Sequence, residues 1–388
     1  MSESSTPADR VTLADLEGDP HRVLAQLRAA APAAWVPVLG TWLVTGYDLA
    51  VAVLRDARTF TVDDPRFSTA QVVGPSMLSL DGAPHARHRG PFNRPFRHDE
   101  VHARLAAFTQ AETGRLVSAI EPLGAAELRR AVAGPLAAAV MAEVLGLGQA
   151  DPATILTWYD GIVAAVQAEG AAAGRGALAG TGADGVTSVA AGGTAAFGEL
   201  AASLRETIAR GGSLLAEVTG PLAEEEAISN AAVLMFGGIE TTEGMIANAL
   251  LHLLSSPAQL ALVLADPGLV PAAVVDRYAT VGTRLGGAAI QAGDQVTVSI
   301  TGANRDPAVF ADPDVFDVRR ANAGRHLAFA HGPHFCLGAH LARLEAQVAV
   351  GTLLARLPRL RLDPGYPSAP RGLVFRKPPA LRVRWDTG

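Results

Sequence analysis

The chain has 388 residues, 49% hydrophobic and 18% charged, with a formal charge of −6. This apolar content excludes a disordered chain, the lack of a Gly-x-y period among 40 glycines excludes collagen, and the acidic balance argues against a nucleic-acid partner. A single cysteine rules out an intrachain disulfide and points to a cytoplasmic setting. No segment reads as a membrane span, which needs ~20 apolar residues. The run 231–239 is cut by Glu240, and 131–142 contains Pro135. The polar start, MSESSTPADR, lacks the apolar core of a signal peptide. Basic charge is carried by arginine apart from Lys377, the only lysine.

In chain order, residues 1–20 are polar and are expected to be loose until they meet the body of the protein. Residues 22–30 have helical spacing, 33–47 read as a short hairpin broken by Gly40 and Gly46, and 48–57 return to helix. From about 97 to 168 the pattern is helical, with turns signalled at Pro122-Leu-Gly124 and Asp151-Pro152. Residues 170–198 are mostly Ala and Gly and have little to bury, so they read either as a surface linker or as a lid over a site. The longest helix is expected over 221–256, where Pro221 suits a start and Glu224, Glu225 and Glu226 suit the positive end of the dipole. Its middle is apolar on all sides, which predicts a buried central helix. Short strands follow after 280, then a helix over 338–356 and strand-like pieces to Arg384. With no repeat and no boundary, 1–388 reads as one unit, mainly α with small β-sheets.

The cysteine lies in Phe329-Ala-His-Gly332-Pro-His334-Phe-Cys336-Leu-Gly338. A lone cysteine is most often a small buried hydrophobe. Here Gly332 permits a tight turn, Gly338 removes a side chain, and a helix begins whose free N–H groups point back at the sulfur. Those donors and the dipole favour a thiolate. A thiolate in an apolar pocket suits a soft or borderline metal. Without a second cysteine, Cys₄ zinc and iron–sulfur cages are excluded, whereas haem needs only one thiolate.

This stretch resembles the cytochrome P450 family, whose cysteine loop reads F-x-x-G-x-x-x-C-x-G. Phe329, Gly332, Cys336 and Gly338 fill it in register, and GAHLARLE continues the match. The resemblance runs from about residue 18 to 385 and is weakest over 170–198. It implies a haem b between a long central helix and the cysteine-loop helix, with Cys336 as the axial and only metal ligand.

Gly237-Gly238-Ile239-Glu240-Thr241-Thr242 sits in the middle of the long helix. Two glycines there cost ~1 kcal/mol each relative to Ala. They serve either close helix packing or a groove open beside a ligand. The Thr241 hydroxyl can bond the carbonyl of residue 237, and a carboxylate next to a hydroxyl suits a proton relay. By resemblance to the family's A/G-G-x-D/E-T-T helix, Glu240 and Thr241 deliver protons during dioxygen activation. Gly237 then borders the haem, and Val233 and Phe236 face the substrate, joined by Val374 from the segment 373–375.

His85 and Arg89 are four apart, which places them on one helix face. By resemblance this H-x-x-x-R pair binds the haem propionates, with His334 as a further contact. Asn304-Arg305-Asp306-Pro307 is turn chemistry by itself, and in the family it precedes the cysteine loop at about this distance.

The sequence departs from the family at E-x-x-R. Arg277 is read as the arginine of that helical motif, with Val274 in the glutamate position, and the stretch 278–287 as shortened. Arg277 is therefore expected to be solvated or bonded to carbonyls, Arg284 is a candidate propionate contact, and the pocket is expected to be wider. The leading reading is a monooxygenase oxidising a small apolar molecule with O2, fed by a ferredoxin and its reductase. Arg94, Arg97, Arg325 and Arg343 are candidate docking cations. A second reading keeps the haem for oxidative coupling, rearrangement, dehydration or peroxide-driven oxidation. A third is a non-catalytic partner protein.

Overall fold

The computed structural model describes residues 6–172, 183–263 and 274–387. Order begins earlier than expected. Thr12 and Asp15 form a capping box on α1 (Leu13–Glu17). Ala8, Val11 and Leu16 are buried with Leu24 and Leu27 of α2 (His21–Ala30) and with Val36 and Leu43. The loose-segment expectation is corrected from residue 6 onward, because the apolar side chains spaced among polar ones suffice to dock it.

β1 (Ala33–Val36) and β2 (Thr41–Val44) form the expected hairpin, with Gly40 at φ 62° in the turn. Next come α3 (Tyr47–Arg55), β3 (Phe60–Thr61), α4 (Ser68–Val73) and α5 (Gly82–Asn93). The helical half comprises α6 (His98–Ile120), the short β4 (Ala125–Glu127), a π-turn at Arg129–Ala133, α7 (Gly134–Leu145), α8 (Pro152–Ala172), α9 (Ala183–Arg210) and α10 (Leu214–Val218).

α8 and α9 enter the stretch read as linker or lid, and residues 173–182 lie outside the described residues. Where its side chains are described, Gly193 and Ala196 have a packing reason. A Cβ on Gly193 would stand 2.0 Å from that of Ala165, and one on Gly161 would stand 2.6 Å from that of Ala196. The linker reading is corrected there: the glycines let two helices touch.

α11 (Glu224–Leu254) spans 31 residues, about 46 Å at ~1.5 Å per residue. Its first turn is capped by Glu226, whose Oε2 accepts the Ala223 N–H at 3.0 Å. Buried residues surround it, among them Ala231, Met235, Ile239, Ile246 and Leu250, as a central helix requires. Beyond it lie α12 (Pro257–Val263), β5 (Val274–Ala279), β6 (Thr283–Leu285), β7 (Ala288–Ile290), β8 (Gln295–Ser299), α13 (Ile300–Ala303), α14 (Ala339–Arg356), β9 (Arg361–Leu362) and β10 (Arg382–Arg384).

The main sheet has the order β1-β2-β8-β5-β3, with β2 and β8 parallel and the other pairs antiparallel. Arg277 opposes Val296, and Asp276 opposes Thr297. Because strand side chains alternate, Arg277 and Asp276 leave the sheet on opposite faces. This corrects the reading of Arg277 as a helical E-x-x-R arginine: Val274 and Arg277 both stand in β5. Residues 264–273, between α12 and β5, lie outside the described residues. No helix among them is long and apolar enough to cross a membrane.

Candidate active site

A cavity of about 670 Å³ separates α11 from the loop that leads into α14. Val233, Phe236, Gly237, Glu240 and Thr241 line one wall, and Phe329, His334, Cys336 and Gly338 line the other. Arg89, Arg277 and Val374 close the sides. Site residues up to 285 positions apart in sequence thus share one space. Of the expected site residues, His85 and Gly332 lie behind this wall.

The cysteine loop is built on backbone bonds. The Cys336 N–H donates to the Phe329 carbonyl at 2.8 Å, and the Phe335 N–H donates to Gly332 at 3.0 Å. Gly332 adopts φ 73°, and a Cβ there would meet the Leu54 carbonyl oxygen at 2.4 Å. The Arg343 guanidinium lies 4.5 Å above the Phe329 ring. Burial pushes the Cys336 thiol up, while the Gly338 N–H, Arg89 and Arg343 pull it back. The expected donors are present, but desolvation outweighs them. A bound metal would supply charge that holds a thiolate here.

On the facing wall the Thr241 hydroxyl donates to the Gly237 carbonyl at 2.5 Å, as the sequence suggested. The paired glycines divide the two readings between them. A Cβ on Gly238 would strike the Met141 sulfur at 2.4 Å, which is helix packing, whereas one on Gly237 would meet nothing within 4 Å. Glu240 is buried, with its Oε2 2.8 Å from Lys377 Nζ.

The flank of the cavity is cationic. The His85 ring stacks 4.4 Å from that of His334, and His334 Nε2 lies 2.8 Å from Asp81 Oδ1. Against the cost of burial, His334, Thr61 and the Val62 N–H hold Asp81 below the usual carboxylate range. Burial, His334 and Arg89 bring His85 down to about 4. Arg89 Nη2 donates to the Phe335 carbonyl at 2.6 Å.

Arg277 is 3% exposed, and its Nη1 donates to its neighbour's carbonyl, Asp276 O, at 2.7 Å. Carbonyl bonding was expected, but solvation is not found. Burial lowers Arg277 to about 10, against the pull of Asp81 and Asp276. Arg284 does not line the cavity: its Nη2 turns toward the Gly287 carbonyl at 3.4 Å. Arg277 takes the place expected for Arg284. Arg277 Nη2 and His85 Nε2 are both buried without a hydrogen-bond partner. Two such donors suit an anionic group such as the haem propionates. Replacing Arg277 with Met is expected to speed haem loss to an acceptor globin at least tenfold while leaving the unfolding midpoint of the haem-free chain level or higher, because an unpaired buried cation is removed.

Glu345 of α14 also borders the cavity, 1% exposed, with Oε2 unpartnered. Burial raises its pKa well above the usual carboxylate value of 4.5. The folded state then holds a proton that the unfolded state releases above that value. Its contribution to stability is full below pH 4.5 and declines with rising pH until the folded pKa is passed. Glu345→Gln is expected to remove that decline, about 1.4 kcal/mol per pH unit. Chemical unfolding of both forms between pH 5 and 7 measures it.

The remaining motif is structural. Asp306 Oδ2 accepts the Tyr47 N–H at 2.9 Å, and Asn304 Oδ1 accepts the Leu327 N–H at 2.7 Å. These bonds tie α3 and the approach to the cysteine loop to one turn. Sequence reading missed Asp81, Arg129, Glu243, Glu345 and Lys377. Of these, Lys377 is alone of its kind, Glu345 closes the matched run GAHLARLE and Asp81 stands four before His85, but none of these signals named a role.

A lone cysteine facing a carboxylate–hydroxyl pair across an apolar cavity, flanked by the unpartnered donors of Arg277 and His85, fits a haem-thiolate oxidoreductase. Comparison with known proteins agrees. The family model "Cytochrome P450" matches residues 269–373. The chain is 36% identical to the cytochrome P450 monooxygenase PikC of Streptomyces venezuelae, covering 96% of this chain and 93% of that protein. It is 31% identical to the 6-deoxyerythronolide B hydroxylase of Saccharopolyspora erythraea, covering 97% and 99%. The solved structure of CalO2 superposes with a TM-score of 0.85 at 27% identity, covering 99% of each chain. The chain belongs to the cytochrome P450 family and is a monooxygenase whose haem is held by a cysteine thiolate.

Proposed function

We propose that residues 1–388 form one catalytic domain that oxidises a small, largely apolar molecule in a tailoring step of natural-product biosynthesis. The observation that carries this is the juxtaposition of Cys336 with Glu240 and Thr241 across one cavity. When bound, haem supplies dioxygen binding and activation. Cys336 would ligate its iron, and His85, Arg89, Arg277 and His334 would hold its propionates. Glu240 exchanges protons with bulk groups, and Thr241 passes them into the cavity. Val233, Phe236 and Val374 exclude water and orient the substrate. The tailoring role draws on relatives named for such steps, 6-deoxyerythronolide B hydroxylase and nocardicin C N-oxygenase, the latter from Nocardia uniformis subsp. tsuyamanensis and 33% identical over 95% of this chain.

Electrons come from a ferredoxin and its reductase in the cytoplasm. All four candidate docking arginines are exposed: Arg94 and Arg97 are ion-paired with Glu100 and Asp99, while Arg325 and Arg343 lie over the rings of Tyr47 and Phe329.

A second reading keeps the haem and changes the reaction. It draws on the departure at Val274–Arg277 and on the structural likeness to CxnD, described as a P450 for C–S bond formation, at TM-score 0.81 and 27% identity. Turnover assays on macrolactone and peptide substrates separate the two. Dependence on electron donors with one oxygen atom from O2 in the product supports monooxygenation. Product without incorporated oxygen supports the second reading.

A further inference from the structure

Lys377 ends the cavity-lining stretch Gly372–Lys377. The turn that carries it is closed by paired backbone bonds between Arg371 and Lys377, at 2.9 and 3.1 Å, with Gly372 at φ 109°. This turn lies along one face of α11. Phe375 meets Phe236 edge-on at 5.7 Å, Lys377 reaches Glu240 and Glu243, and Asn248 Nδ2 donates to the Arg376 carbonyl at 2.8 Å. The helix residues 236, 240 and 243 recur at turn spacing and 248 lies eight beyond 240, so the contact is a seam.

Within the seam Lys377 Nζ stands 2.8 Å from Glu240 Oε2 and 2.5 Å from Glu243 Oε2. Glu243 is also held by Arg129, at 3.1 Å, from the π-turn before α7. Arg376 points away, to the carbonyls of Glu17 and Gly18. Two carboxylates and two cations make a neutral buried cluster. Glu243 has two partners, whereas Glu240 has Lys377. Buried carboxylates without a counter-ion take up a proton.

We propose that Lys377 is the positioning residue of the proton relay, holding Glu240 charged and oriented, and that it links the relay to the cavity occupant through Val374 and Phe375. An occupant that displaces Phe375 moves the ammonium along the seam, because the closed turn carries both residues together. Glu243, clamped by Arg129, keeps its place, so the ammonium's share on Glu240 changes with occupancy. This inference rests on the relay role given to Glu240 above.

Because Lys377 is the only lysine, reductive methylation with ¹³C-formaldehyde labels it and the α-amine alone. In the diamagnetic ferrous carbon monoxide form, Glu240→Gln, which removes the charge 2.8 Å from Nζ, is expected to shift the labelled group's resonance. Val374→Trp, which fills the cavity side of the turn, is expected to shift its resonance, whereas Tyr366→Trp on the exposed surface is not. In electron-driven turnover, Lys377→Met is expected to move the acid limb of the pH profile up by about one unit and raise peroxide release several-fold, and Lys377→Arg to restore both. A label indifferent to Glu240 and Val374 overturns the inference without touching the relay. A relay failure shows instead as normal turnover in Glu240→Gln with the label still responsive.

Discussion

Glu240→Gln is expected to lower electron-driven turnover about 10²-fold, while turnover supported by hydrogen peroxide keeps most of its rate. The acid is buried in the cavity wall one residue before Thr241, whose hydroxyl is held by the Gly237 carbonyl. A positioned proton donor contributes roughly 10²–10⁴-fold, and an amide has no proton to exchange. Peroxide brings oxygen already reduced and protonated, so it bypasses the step. The substitution leaves Glu243 between Lys377 and Arg129, so no carboxylate is stranded. Rates by both routes, with the solvent isotope effect on the first, make the measurement. An equal fall in both routes contradicts the relay and points to damage to the haem pocket.

The second large effect is expected at Gly332. At φ 73° an L-residue costs ~1–2 kcal/mol. An added Cβ meets the Leu54 carbonyl at 2.4 Å and Arg55 Cα at 3.0 Å, both backbone atoms that cannot rotate away. Overpacking of this kind costs a further ~1–3 kcal/mol. Gly332→Ala is therefore expected to destabilise the protein by about 2–5 kcal/mol in chemical unfolding and to lower haem content with it. Gly338 is the contrast, at φ −81° with nothing within 4 Å of an added Cβ. Gly338→Ala is expected to leave the haem-free fold intact and yet lower haem content, because the open space beside it belongs to the cofactor. If both variants lose stability equally, the space beside Gly338 is not reserved.

Helices and the cysteine loop were legible because their signals are local. Apolar spacing marks α11, and Gly332, Cys336 and Gly338 fix a loop whose backbone bonds close within a few residues. The hairpin at Gly40 and the Thr241 bond to Gly237 are equally short-range. What failed depended on distant partners. Arg277 was taken for a helical arginine, since its pairing with Val296 is invisible until β8 is placed beside β5. The role of Gly238 needed Met141, almost a hundred residues away, and that of the Ala/Gly-rich stretch needed Ala165 facing Gly193. Lys377 stood out in composition, yet only the fold brings it to Glu240 and Glu243. The N-terminal residues looked polar because their few apolar side chains count only when α2 and the sheet edge receive them.

The most direct test is the absorption spectrum of the purified protein, ferric and then reduced under carbon monoxide. A haem-thiolate site gives a strongly red-shifted Soret band in the carbon monoxide form, and Cys336→Ala abolishes it. Absence of haem, or a band at the unshifted position that survives the substitution, contradicts ligation by Cys336 and with it the account of the cavity.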